Sequence, residues 1–232
     1  MEYVVYGVIL ILTILLLKLV FKINFKELKK LEENEELKKI SDKFPENIDV
    51  AKEYLEMLDN KDVTVEEAHD TKTSLYIAIT NKIIIADMRN NYGRLQVIAH
   101  ECIHSIQERT ILISNFIVSN ILLIYFLLAI ILTILKVFKN IDLQIFILTF
   151  ISLIQYSIRS YLETDAMLRS KVLVKEYMGK KKLTTKKETE ELLAEYEKIN
   201  KVGVPFVIDN LLTTSILRIL TLVIVAIIAK LF

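Results

Sequence analysis

The sequence predicts an α+β membrane protein that is mainly helical, with about four transmembrane helices and a small α/β unit at the membrane surface. Hydrophobic residues make up 53% of the 232 residues, more than a soluble domain of this size normally contains. Most of them are concentrated in four long apolar stretches, and three short β-prone runs lie between the first two. Four Gly and two Pro disfavour a turn-rich all-β fold.

The four apolar stretches are long enough to be transmembrane helices. A bilayer core of about 30 Å requires about 20 apolar residues of helix, and each stretch matches or approaches that length. The third is somewhat short, and tilt or bilayer thinning would accommodate it. The predicted spans are residues 4–21, 111–138, 143–158 and 211–232. The first has no basic segment before it and no small-residue cleavage site after it, which favours a retained anchor over a signal peptide.

The distribution of lysine and arginine predicts the orientation. These residues are concentrated in residues 22–43 and 159–187, which follow the first and third spans. Lysine and arginine near span ends mark the cytoplasmic side. We therefore expect both large polar regions in the cytoplasm and both termini outside the cell. Because two spans separate the polar regions, they return to the same side and can build one site.

The polar regions contain predicted helices and strands. Lys/Glu-rich residues 25–43 predict an amphipathic helix, followed by a helix over 45–60. Residues 62–68, 74–80 and 82–88 predict strands, and Thr80-Asn81-Lys82 predicts a hairpin between the last two. Residues 90–109 predict a helix that continues into the second span. After the third span, residues 156–177 and 188–200 predict helices around a basic loop, and Gly203 and Pro205 predict an interruption before the last span.

The segment VIAHECIHSIQER, residues 97–109, contains two of the three histidines of the chain. Positions i and i+4 share one face of a helix, so His100 and His104 can bind a single ion. HExxH on a helix is the zinc-hydrolase arrangement, in which the glutamate is the general base. Zinc acidifies water and polarises the scissile carbonyl, while the glutamate transfers the proton. The motif therefore predicts one zinc ion per chain with Glu101 as the base, and chance would rarely produce it.

A tetrahedral catalytic zinc requires a third protein ligand, and two residues are candidates. His69 follows the first β-prone run. Glu163, in YLETDAMLRSKVL, follows the third span on the same side of the membrane as His100. The alternative interpretation of Glu163 is an interfacial carboxylate paired with Arg159 or Arg169. Spacing alone does not decide between these interpretations.

Three further residues have open roles. Asp165 is either an acceptor that orients a zinc-bound histidine or a partner of Arg169 or Arg109. His69 is either a transition-state donor or an ordinary loop histidine. The single cysteine, Cys102, excludes an intramolecular disulfide and is expected to pack.

Together, VIAHECIHSIQER and the later YLETDAMLRS resemble the YugP-type neutral zinc metallopeptidases of bacterial membranes. These are gluzincins with an N-terminal anchor, an HExxHxxQ-type helix and a later E-F-D-A-S-x-R-like segment. Gln107 matches the glutamine after the zinc motif, and Glu163 with Asp165 and Arg169 matches the second segment. The resemblance implies that His100, His104 and Glu163 bind zinc and that Glu101 is the base.

The chain differs from that family at a few positions. Cys102-Ile103 replaces a pair that includes glycine, and Thr164 stands where an aromatic residue is usual. HtpX-like and CAAX-prenyl membrane proteases share the two-part arrangement, but they have an acidic residue four positions after the ligand glutamate. This chain has Met167 there, so they rank second.

The resulting prediction is a membrane-embedded zinc metalloendopeptidase with a zincin-like unit. Its divisions are an anchor (1–21), a cytoplasmic zincin-like region ending in the HExxH helix (22–110), two transmembrane helices (111–158), a cytoplasmic helical region with the third ligand (159–210) and a C-terminal transmembrane helix (211–232). Peptide or membrane-protein substrates are expected, with an extended peptide along the sheet edge within residues 74–88. The alternative is a non-catalytic zinc-binding sensor or scaffold of the same fold. The net charge of +1 gives no reason to expect a nucleic-acid partner, and the oligomeric state is not predicted.

Overall fold

A computed structural model of the protein describes residues 2–22, 34–68, 71, 73–88 and 91–231. The chain is mainly helical with one small sheet, as predicted. The elements are α1 (Glu2–Phe21), α2 (Glu35–Ser41), α3 (Asn47–Met57), β1 (Thr64–Ala68), β2 (Leu75–Ile77), β3 (Lys82–Ala86), α4 (Arg94–Ser105), α5 (Arg109–Ile134), α6 (Ile141–Lys181) and α7 (Lys186–Leu231).

Helices α1, α5, α6 and α7 are long and apolar enough to cross a bilayer, which indicates a membrane protein. Each contains most of one predicted apolar stretch. Helix α5 ends at Ile134, four residues before the predicted end of the second span at residue 138. Lys136 adopts a left-handed conformation (φ 57°), and the Val137 N–H donates to the Leu132 carbonyl over 2.9 Å. This backbone turn ends the helix although the side chains remain apolar.

The contacts divide the chain into two compact units, here called the membrane unit and the polar unit. The membrane unit comprises residues 1–23, 114–161 and 205–232, and the polar unit comprises residues 24–113 and 162–204. Each has its own apolar core. In the polar unit, Tyr54, Tyr92, Tyr177 and Tyr196 are the largest fully buried side chains. This core includes the apolar face of the helix that carries the HExxH motif.

The sheet has the strand order β1-β3-β2. Strand β3 pairs in parallel with β1 and antiparallel with β2, which confirms the predicted hairpin. Asn81 has a left-handed backbone (φ 49°) in the turn and accepts a hydrogen bond from the Tyr76 hydroxyl over 2.9 Å. The sequence predicts a peptide-binding sheet edge within residues 74–88. Because β3 is paired on both sides, it cannot be that edge. That edge is β2.

The helix predicted over residues 90–109 is interrupted. Helix α4 ends at Ser105, where the Ile106 and Gln107 N–H groups donate to the carbonyls of Ile103 and His104. Helix α5 then begins at Arg109. The buried Gln107 side chain in this break donates to the Leu162 carbonyl over 2.8 Å. The prediction of one continuous helix was therefore wrong. The hydrogen bond at the break joins residues far apart in the sequence, and local sequence patterns could not reveal it.

The interruption predicted at Gly203 and Pro205 is absent, because α7 runs through both residues. Proline removes a helical N–H donor and is expected to kink or break a helix. Tight packing accompanies the continuous helix, since a Cβ atom on Gly203 would lie 2.5 Å from Met167 Cε. Tertiary packing here overrides local preference. Asn34 caps α2, whereas residues 25–33 of the expected amphipathic helix lie outside the described residues.

Candidate metal centre

Helix α4 presents both motif histidines on one face. His100 and His104 are one turn apart, their Nε2 atoms are 3.0 Å from each other, and their ring planes are nearly perpendicular at 89°. The apolar residues of α4 face the core of the polar unit, where Ile98, Ala99 and Cys102 have no exposed surface. Burial of that face fixes the rotation of the helix and so directs the two imidazoles to a common point.

Glu163 reaches the same point from α6. Its Oε2 atom lies 3.3 Å from His100 Nε2 and 3.9 Å from His104 Nε2. One ligand atom from each of the three residues lies within 4.8 Å of the others. The Glu163 side chain is 12% exposed, so its carboxylate is largely removed from water. The structure thus brings together the three residues that were predicted as ligands.

The three side chains fit a four-coordinate metal ion. Ligand atoms about 2.0–2.2 Å from such an ion lie about 3.3–3.6 Å apart at tetrahedral angles. The three separations of 3.0, 3.3 and 3.9 Å bracket that value. Two imidazoles and one carboxylate are a donor set for transition metals, whereas Mg²⁺ and Ca²⁺ prefer oxygen ligands alone. An ion held by these three side chains would keep a fourth position for water or substrate.

Glu101 lies beside His100 on α4 and is 7% exposed. Its carboxylate is therefore held in surroundings with little water. Cys102 is fully buried on the core side of the helix, and this burial raises the pKa of its thiol well above the ordinary value. Cys102 packs among the apolar core residues, whereas the grouped ligand atoms belong to His100, His104 and Glu163, so Cys102 stays outside the donor set.

A hydrogen-bond network surrounds the His104 ring. His104 Nδ1 lies 2.8 Å from Gln107 Oε1, and Gln107 Nε2 donates to Asp165 Oδ2 over 2.8 Å. Asp165 also pairs with Arg169, whose Nη1 atom is 3.3 Å from Oδ2. Of the two roles considered for Asp165, the ion pair with Arg169 is present. Asp165 is connected to His104 through the Gln107 amide, which hydrogen-bonds both residues.

The N-terminal part of α7 supports the site from a third direction. Asn200 is buried, and its Oδ1 atom accepts a hydrogen bond from Gln96, one turn before His100. Its Nδ2 atom donates to the Met167 carbonyl over 2.9 Å, one turn after Glu163. Asn200 therefore links the helices that carry the ligands. The sequence reasoning missed it, although an asparagine among apolar helical positions was the available signal.

Ala166, one turn after Glu163, is completely buried in the core of the polar unit, where a small side chain lets α6 pack closely. His69, the other candidate ligand, lies outside the described residues.

No protein-family model matches the chain, and neither the curated proteins nor the solved structures give a match. The chemistry of the three-ligand cluster and its surroundings is therefore the basis for assigning a function.

Proposed function

We propose that the chain is a membrane-anchored zinc metallopeptidase of the gluzincin type, similar to the YugP-type enzymes. His100, His104 and Glu163 are the zinc ligands, with one ion per chain, and Glu101 is the general base. One observation carries the proposal: the HExxH helix and a glutamate from a distant helix converge until their ligand atoms lie within 4.8 Å. A chance HExxH on a surface helix would not require such a partner.

Each residue has a defined task in peptide hydrolysis. A bound zinc ion would supply Lewis acidity, which acidifies water and polarises a carbonyl group. Glu101 accepts the proton of the attacking water and delivers it to the leaving amine. The low exposure of Glu101 and Glu163 supports this chemistry, because electrostatic interactions are stronger where water is scarce.

We place the substrate peptide along β2. This strand is an edge of the described sheet and packs on the ligand-bearing α4. An extended peptide can add to such an edge through main-chain hydrogen bonds. A small zincin-like unit would then consist of this sheet, α4 and the start of the polar part of α6. It would face the cytoplasm, as the lysine distribution predicts.

The test is hydrolysis by the full-length, detergent-purified protein and its Glu101→Gln variant, with zinc content measured for both. We expect about one zinc per chain in each and a loss of activity of about 10²- to 10⁴-fold in the variant, because only the base is removed. Glu108→Gln is the matched control, since Glu108 is an exposed residue beside the motif.

Each contrary result has a distinct meaning. Full activity in Glu101→Gln would exclude Glu101 as the base. Wild-type protein that binds zinc but hydrolyses no member of broad peptide and membrane-protein panels would support the sensor or scaffold instead. Absence of zinc after reconstitution would reject the metal centre itself.

A further inference from the structure

Gln107 lies in the short break between α4 and α5 and is 9% exposed. Both ends of its amide are engaged. The Nε2 atom donates to the Leu162 carbonyl and to Asp165 Oδ2, each over 2.8 Å, and the Oε1 atom lies 2.8 Å from His104 Nδ1. The three partners come from both ligand-bearing segments of the polar unit.

These partners determine which way the amide points. A backbone carbonyl and a carboxylate only accept hydrogen bonds, so an NH₂ group with two donors satisfies both. The reversed amide would place its oxygen against the Leu162 and Asp165 oxygens, so that acceptors would face acceptors without a proton between them. The amide oxygen must therefore face His104. Because that oxygen has no proton, the hydrogen bond requires a proton on His104 Nδ1.

We infer that Gln107 is a positioning residue that fixes His104 as the Nδ1–H tautomer and leaves the Nε2 lone pair for a metal ion. His104 Nε2 is the nitrogen that faces His100 and Glu163. The nitrogen of a histidine that binds a metal is set by the hydrogen bond of the other nitrogen. The inference rests on the metal-binding part of the proposed function.

The Gln107 side chain also joins the helix that carries Glu163 to the segment that carries His104. Leu162 immediately precedes Glu163, so the hydrogen bond to its carbonyl holds the third ligand at a fixed distance from His104. Asp165 is held in turn by Arg169. His100 differs, since no hydrogen bond of its Nδ1 atom is found among the described residues.

The first experiment reads the tautomer directly. Full-length protein labelled with ¹⁵N at histidine alone, in detergent and with chelator present, contains three imidazole rings. His69→Gln and His100→Gln variants assign their signals. Long-range ¹H–¹⁵N spectra are expected to show His104 protonated at Nδ1 only. Protonation at Nε2, or a mixture of tautomers, would overturn the inference. This measurement requires no change at Gln107.

The second experiment compares Gln107→Leu with Gln96→Leu. Both remove a buried glutamine amide from this part of the chain, but Gln96 bonds Asn200 and does not contact His104. Gln107→Leu is expected to weaken zinc binding by about 10- to 100-fold and to release His104 into mixed tautomers. Gln96→Leu should leave the His104 tautomer unchanged. Wild-type zinc affinity in Gln107→Leu would contradict the inference.

The two experiments separate this inference from the proposed function. If the wild-type protein binds no zinc, the proposed metallopeptidase fails, whereas the His104 tautomer still decides the role of Gln107. If zinc binds and His104 is protonated at Nε2, the metal centre stands and Gln107 loses its assigned role.

Discussion

Arg94 is a buried arginine whose hydrogen-bond partners among the described residues include no carboxylate. Its guanidinium donates to Ser41 Oγ, to the carbonyls of Ser41, Phe44 and Pro45, and to Asn47 Oδ1. Burial lowers the pKa of Arg94, but a guanidinium remains charged at neutral pH. These hydrogen bonds join the first turn of α4 to the connection between α2 and α3. One residue thus anchors the helix whose second half carries the histidines.

Glu163 is the residue on which the three-ligand centre depends. Glu163→Ala is expected to reduce zinc affinity by more than about 100-fold, because even loss of an outer partner of a ligand costs about 10- to 100-fold. Competition with a chromogenic chelator measures the change. Glu176→Ala is the control, since Glu176 is an exposed glutamate on the same helix. Zinc affinity equal to wild type in Glu163→Ala would move the third ligand elsewhere, and His69 would be the next candidate.

At the scale of elements, α1 has few packing contacts but one buried ionic partner. Only Tyr3 and Gly7 of this helix are buried. Lys18 pairs with Asp209 of α7, whose side chain is 2% exposed, and the Lys230 ammonium lies 4.1 Å from the centre of the Tyr3 ring. Because lipid tails are as apolar as leucine, such polar links can attach one membrane helix to another where apolar burial cannot.

The Lys18–Asp209 pair gives a test of how α1 is attached. Lys18→Met is expected to destabilise the protein by about 2 kcal/mol, below the roughly 3–5 kcal/mol of a fully buried pair, because Lys18 is 47% exposed. The double variant Lys18→Met/Asp209→Leu should recover much of this loss, since no unpaired buried charge remains. Thermal unfolding in detergent measures both. Lys22→Met, which removes an exposed lysine nearby, should have little effect. Equal destabilisation in the single and double variants would show that the charge pair does not hold α1.

At the scale of the whole molecule, α6 and α7 each contribute to both compact units. Each helix contains an apolar segment long enough to cross a bilayer and a polar segment that belongs to the polar unit. The third ligand and Asn200 lie on these polar segments. One of the three candidate ligands, Glu163, and the supporting residue Asn200 are therefore carried by helices that also contain two of the four candidate spans.

Cysteine labelling can test the predicted orientation of the chain. The single native cysteine, Cys102, is buried, so intact wild-type protein should give little background. In intact cells, a membrane-impermeant maleimide should label Lys139→Cys, which lies between α5 and α6. It should label Lys187→Cys only after cell lysis, because the lysine-rich regions are expected inside. Lys187 is 86% exposed, so burial would not prevent labelling. The reverse pattern would place the metal centre outside the cytoplasm.

Local sequence patterns were sufficient for several features. Apolar length predicts the four long helices, and β-branched runs around Asn81 predict the hairpin, because chain length and turn chemistry act within short segments. The pairing of His100 with His104 follows from helical spacing alone. These features require no knowledge of distant parts of the chain.

The remaining features depend on contacts between distant segments. The order β1-β3-β2, the break at Gln107 and the passage of α7 through Pro205 each depend on packing partners far away in the sequence. The sequence by itself determined the mainly helical class, the four candidate spans and the pairing of the two candidate histidine ligands. Only the tertiary structure brought Glu163 to them and turned Gln107 toward His104, because α4 and α6 bury residues in one core, and that shared core decides which distant side chains meet.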